Sequence, residues 1–166
     1  MGTLTAECRA MLWLRSAFFT LVFPGSVLIW VPLWLSTSDG GTLSLGWARW
    51  LGVAPLIFGA AGLLWCIWDF GRTGRGTLAP VDPPRFVVRS GLYRVVRNPM
   101  YLSVLTALAG EVLLFSSARL LVWGAIVAIT FHLFVVGYEE PTLRRLFGDD
   151  YEGYRRAVPR WLPRRP

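Results

Sequence analysis

The sequence contains no lysine: all seventeen basic residues are arginine, set against ten acidic residues and a single histidine. Cysteine is nearly as scarce. Cys8 and Cys66 are two lone thiols without metal-ligand spacing, and Cys66 sits in an apolar run, where it reads as a small buried hydrophobe. A signal-peptide pattern is also missing, because the first apolar run is too long and no small-residue cleavage site follows it. What is abundant is apolar surface: 54% of the 166 residues are hydrophobic, with nine Trp and ten Phe, and the mean hydropathy is +0.49. That share exceeds the usual range for soluble domains and predicts a small polytopic membrane protein of one domain, residues 1–166. The net charge of +7 would suit nucleic acid. Here, however, the arginines flank apolar runs, as expected for anionic lipid headgroups and topology setting, and no basic face of a soluble module is present.

Four apolar segments predict an all-α integral membrane fold with spans at about residues 12–35, 47–70, 100–115 and 120–136. Pro24-Gly25 and Pro32 are expected to kink the first span rather than end it. Gly59, Ala60 and Gly62 offer close helix packing on the second. The third span has sixteen residues, which at ~1.5 Å per residue reach ~24 Å, short of a ~30 Å hydrocarbon core. Only Ser116-Ser117-Ala118-Arg119 separates it from the fourth span, so a tight antiparallel hairpin is expected, extended by polar protein at one end. Thirteen arginines fall in the loop 71–98 and the tail 138–166, joined by Arg9 and Arg15, whereas Arg49 and Arg119 alone face the other side. By the positive-inside rule, loop, tail and both termini are cytoplasmic, in a bacterial or archaeal inner membrane.

Polar chemistry is concentrated on that face. Gly71-Arg72-Thr73-Gly74-Arg75-Gly76 lacks the G-x-G-x-x-G spacing and follows a membrane helix rather than a strand, so it reads as a linker. Pro80, Pro83 and Pro84 keep the next stretch extended. Asn98-Pro99 places proline in the first turn of the third helix with Asn98 as a candidate N-cap. The positive helix end, beside Arg94 and Arg97, suits a carboxylate or phosphate, or else is simply a capped helix entering the bilayer. At the end of the fourth span stand Glu139 and Glu140. Glu140 has Arg144 four residues on and can pair with it across a turn. Because the third and fourth spans form a hairpin, Glu139 is expected beside Asn98, Pro99 and Tyr101. Within the bilayer, Glu111 is either a functional carboxylate or a partner of Arg119, the latter favoured, and His132 reads as a hydrogen-bonded core histidine.

Gly91-x-Tyr93-Arg94-x-x-Arg97-Asn98-Pro99-x-Tyr101, then Glu139-Glu140, then Phe147-Gly148-x-x-Tyr151-x-x-Tyr154 and Val158-Pro159 resemble the isoprenylcysteine carboxyl methyltransferase family and its phospholipid N-methyltransferase relatives. The resemblance spans roughly residues 77–163. It implies an integral membrane methyltransferase that uses S-adenosylmethionine, held in a cytoplasm-facing pocket between the hairpin and the preceding loop. Carried over by position, Arg85, Phe86, Val87 and Val88 line the donor, Tyr93 packs near it, Arg97, Asn98, Pro99, Met100 and Tyr101 cradle it, and Glu139 binds one of its polar groups. Glu140 would hold or deprotonate an acceptor, and Arg145 would position an anionic headgroup. The acceptor is then a lipophilic molecule or lipid partitioned into the membrane, and no metal is implied. Two departures stand out: Asn98 replaces a histidine common in the family, and Val135 replaces an arginine of the animal prenylcysteine enzymes, which speaks against a prenylcysteine carboxylate as acceptor.

Three other readings remain at the level of sequence. A small four-span transporter would use Glu111, a membrane reductase would bind NADPH, and a lipid-binding scaffold would bind no small cofactor.

Overall fold

The computed structural model describes residues 24–36, 43–73, 87 and 89–163. Its elements are helical. Helix α1 covers Ser26–Ser36, opening with a π turn over Ser26–Trp30 in which Val31 N–H donates to Ser26 O. Pro32 follows at once and has no N–H to give, so the ladder is already disturbed where the wide turn forms. Thus the kink expected from Pro32 takes the form of a π turn, while residues 12–23 of the predicted first span lie outside the described residues.

Helix α2 (Val53–Thr73) is led in by a 3₁₀ turn over Gly46–Gly52, and α3 is Pro99–Phe115. The two run antiparallel along a seam of small residues. A Cβ on Gly59 would collide with the backbone of Ser103 and Ala107, and one on Gly52 or Gly110 would strike the opposite helix. Glycine is required there because the backbones are in direct contact, the arrangement small residues permit between membrane helices. Leu63 and Cys66 from α2 pack the core with Val104, Ala107, Leu108 and Val112 from α3.

Helix α3 ends at Ser116, which takes the left-handed conformation (φ 51, ψ 40) and donates its N–H back to Leu113 and Val112. Ser117 then caps α4 (Ala118–Phe134), its side chain accepting from Leu120 N–H. This is the tight hairpin expected from the four-residue connection. Leu43 N–H donates to Ser116 O at 2.6 Å, so the lead-in to α2 and the hairpin turn lie at the same end of the molecule. Trp123 on α4 donates to Val27 O at 3.2 Å and ties α1 to this group.

Beyond α4 the helix does not stop. A π turn over Val135–Glu139 leads directly into α5 (Glu140–Ala157), which bends at Gly148, where φ is 49 and ψ is −125. Gly46–Asp69 and Ala118–Ala157 are long and apolar enough to cross a membrane, whereas Ser26–Ser36 and Pro99–Phe115 are shorter. The most apolar windows of the two long helices are only 22% and 17% buried within the protein. Their outward faces carry Ile57, Phe58, Leu64, Trp65 and Trp68 on α2 and Leu121, Val122, Ile126, Ile129 and Leu133 on α4. Large apolar side chains exposed in these numbers suit a non-aqueous surrounding.

Candidate functional site

The polar end of the bundle gathers three pieces of chain: the segment before α3, the π turn before α5, and the residues after α5. The segment before α3 is anchored on α2. Ser90 Oγ donates to Asp69 Oδ2 at 2.8 Å. Gly91, at φ +52, lies so close to Asp69 and Trp65 that an added Cβ would sit 3.1 Å from the atoms of each. A 3₁₀ turn over Gly91–Arg94 follows, and Tyr93 O accepts the Tyr154 hydroxyl at 2.7 Å. Burial pushes the Tyr93 hydroxyl well above its usual range, with Cys66, Glu139, Tyr154 and Tyr101 close enough to push the same way. The Tyr154 hydroxyl is pushed up to about 12 by burial and by Tyr151, against the opposing charges of Arg97 and Arg89. Phe147, Tyr151, Tyr154 and Val158 form an apolar patch with Leu143 and Val87 under this turn.

The π turn decides where the two glutamates point. Glu139 Oε2 accepts the Tyr101 hydroxyl at 3.1 Å, joining α3 to the end of α4 across 38 positions of sequence. Tyr101 in turn packs on Phe131 of α4, with centroids 4.7 Å apart. Burial raises the affinity of Glu139 for its proton, opposed by the Tyr101 hydrogen bond and reinforced by the neighbouring Glu140 charge. Glu140 is 5% exposed and turns the other way. Arg97 Nη1 donates to its Oε1 at 2.8 Å, and Arg160 donates through Nε to Oε1 and through Nη2 to Oε2, both at 2.8 Å. The carboxylate hydrogen bonds hold the Arg160 charge more firmly, against a smaller effect of burial. Arg97 also bonds the Tyr151 hydroxyl, yet its Nε is buried without a partner.

Asn98 occupies the N-cap position of α3, but no side-chain cap forms. Its Nδ2 donates instead to Arg160 O at 3.3 Å. With Pro99 in the first turn, the Asn98 side chain leaves the N–H groups of Met100 and Tyr101 uncapped at the positive end of the helix.

Tyr93, Arg97, Asn98, Pro99, Met100, Tyr101, Glu139 and Glu140 therefore lie in the chain segments that meet here, and Val87 belongs to the supporting patch. Arg145 is not drawn in: it is exposed on α5 and donates to Thr142 Oγ1 at 3.3 Å. Arg85, Phe86 and Val88 lie outside the described residues. The Glu140–Arg144 pair suggested by their spacing is replaced by other partners, since Arg144 bonds Glu152 at 3.0 Å and Glu140 bonds Arg97 and Arg160. Within the bundle, Glu111 is buried, and its Oε2 has no hydrogen-bond partner among the described residues. His132 is exposed rather than a core residue, and its ring lies 6.2 Å from that of Trp161.

Arg160 escaped sequence reasoning altogether, counted there only as one positive charge in the tail. Its position immediately after Val158-Pro159 was the available signal. Among the described residues no group of three His, Cys, Asp or Glu is placed to hold a metal ion.

The sequence profile of the phospholipid methyltransferase family matches residues 47–150, more than half of the chain. The chain belongs to this family. It is a methyltransferase, and with its two long apolar helices a membrane protein. No curated protein and no solved structure matches the chain. The matched stretch includes α2, α3, α4, both glutamates and α5 as far as Asp150, and it ends before Arg160.

Proposed function

We propose that this methyltransferase transfers a methyl group from S-adenosylmethionine to a lipophilic acceptor dissolved in the membrane. The site lies at the cytoplasmic end of a four-span bundle, between the N-terminus of α3 and the π turn before α5. The observation that carries this reading is the Tyr101–Glu139 hydrogen bond, which unites two polar motifs at the start of α3, where the Asn98 side chain forms no cap.

The residues present fit the donor on three counts. Its carboxylate calls for fixed hydrogen-bond donors, and the Met100 and Tyr101 N–H groups together with the unpartnered Arg97 Nε supply them. Its amino group or ribose hydroxyls call for a buried acceptor, which Glu139 supplies. Its sulfonium calls for an aromatic face, and the Tyr101 ring, whose hydroxyl bonds Glu139, supplies one beside that carboxylate. When bound, S-adenosylmethionine contributes an electrophilic methyl group.

The chain's own task is chiefly alignment, since a direct displacement gains more from orientation than from acid–base assistance. Phe131 backs the Tyr101 ring and fixes the direction of its hydroxyl. Glu140 acts through position, with both of its oxygens accepting from guanidinium donors of Arg97 and Arg160. Arg145, exposed on α5, meets an anionic headgroup at the membrane surface. The arginines of the 71–98 loop and the tail hold both termini on the cytoplasmic side of an inner membrane.

The test is transfer of isotope-labelled methyl from S-adenosylmethionine into the organic-extractable fraction of proteoliposomes holding the purified protein. Label should enter lipid with the wild type and be lost with Glu139→Ala. Lipid labelling by the variant at the wild-type rate would refute the assignment of Glu139.

A further inference from the structure

Helix α5 ends at Val158, whose backbone turns extended (φ −120, ψ 126). The next residues then fold back across the site as a strap. Pro159 O accepts the Arg97 N–H at 2.9 Å. Arg160 O accepts Asn98 Nδ2, and the Arg160 side chain grips both oxygens of Glu140. Trp161 reaches the His132 ring on α4. Within three residues the strap thus engages the start of α3, the start of α5 and the flank of α4.

These contacts act on the two features the donor reading needs. Asparagine is among the best N-capping residues, and left to itself Asn98 would satisfy the free N–H groups of its own helix. The strap pulls both its side chain and the preceding peptide outward. The backbone at Asn98 (φ −123, ψ 56) departs from the extended geometry of a capping residue, and no cap forms. In parallel, the fork of Arg160 on Glu140 holds that carboxylate away from its neighbour, so that Glu139 alone faces Tyr101. A bidentate guanidinium–carboxylate contact is directional in a way that an ammonium cannot reproduce.

We infer that Arg160 is a positioning residue of the donor site: through the strap 158–161 it keeps the N-terminus of α3 open and Glu139 in place. This rests on the donor reading above and extends it to a residue beyond the stretch matched by the family profile.

The experiment is calorimetric titration of the purified protein with S-adenosylhomocysteine, for the wild type, Arg160→Ala, Arg160→Lys and Gly59→Ala, each held well below its own Tm. Gly59→Ala loosens the α2–α3 seam and measures what destabilisation alone does to affinity. Arg160→Ala should raise Kd about threefold to fivefold, as much as a partly exposed contact of ~1 kcal/mol can supply. Arg160→Lys should fall between, and Gly59→Ala, which strains the α2–α3 seam rather than the strap, should leave Kd closer to the wild type than either. Failure of the wild type to bind defeats the donor reading itself. Binding by the wild type, with Arg160→Ala equally tight or no weaker than Gly59→Ala, overturns the positioning role and leaves the donor reading intact.

Discussion

Replacing Glu140 by glutamine should destabilise the folded protein before it affects any chemistry. The side chains of Arg97 and Glu140 are 10% and 6% exposed, so this pair is buried, while that of Arg160 is 30% exposed and partly screened. Removing one partner of a buried pair costs about 3–5 kcal/mol, because the other charge remains desolvated and unmatched. Arg97 is poorly placed to compensate, since its Nε already lacks a partner. The Arg160 contact, being partly exposed, adds no more than ~1 kcal/mol, and the amide oxygen of glutamine recovers a fraction of one bond. A net loss of about 3–4 kcal/mol is a large share of the ~5–15 kcal/mol typical of a folded domain. At roughly 2–4 °C per kcal/mol for a chain of this size, Tm should fall by roughly 6–16 °C. Thermal unfolding in detergent, followed by intrinsic Trp fluorescence, measures it. A Tm within 2 °C of the wild type, given as about the shift of one weak surface contact, would refute the view of Glu140 as a structural tie.

Four further outcomes follow from the same contacts. Glu111→Leu should raise Tm by a few degrees, since it removes a buried oxygen with no hydrogen bond, whose desolvation costs about 1–3 kcal/mol; a fall would reveal a partner for Glu111. Gly59→Ala should cost about 3 kcal/mol or more, since the added Cβ meets backbone of Ala107 and Ser103 that cannot swing aside, read as a lower Tm. Tyr154→Phe, losing the 2.7 Å bond to Tyr93 O, should cost about 1 kcal/mol in the same assay. For Glu139 the sign runs opposite to that of a salt-bridged acid: burial raises its folded value above the ordinary 4.5. Its contribution is therefore full below 4.5 and is lost as pH rises through the folded value. Between pH 4 and pH 8, wild-type Tm should decline relative to Glu139→Gln, and parallel pH curves would contradict the assignment.

Much of this architecture is written in the hydrophobic runs and their punctuation. The hairpin was legible because only Ser116-Ser117-Ala118-Arg119 interrupts two apolar segments, and the meeting of Glu139 with Tyr101 follows from that hairpin alone. The seam at Gly59 was readable because close backbone approach needs small residues. Pairings were not. Glu140 has Arg144 at helical spacing, yet Arg97 and Arg160 win it, because a carboxylate buried at the junction is worth more to buried guanidinium groups than to one on an exposed face. Nothing local marks the π turn at Val135–Glu139, although that turn sends the two glutamates to different partners. The strap was hidden for a similar reason: Arg160 draws its meaning from Asn98 and Glu140, which are 62 and 20 positions away.

The central claim is that the buried carboxylate of Glu139, brought to Tyr101 at the open end of α3, holds the methyl donor. Its most direct test is the stoichiometry and affinity of S-adenosylhomocysteine binding to wild-type protein and to Glu139→Ala, with both shown to be folded by their thermal transitions. Saturable one-to-one binding by the wild type, abolished in the variant, is the predicted result. Equal binding by the two proteins, or none by folded wild type, would contradict the account.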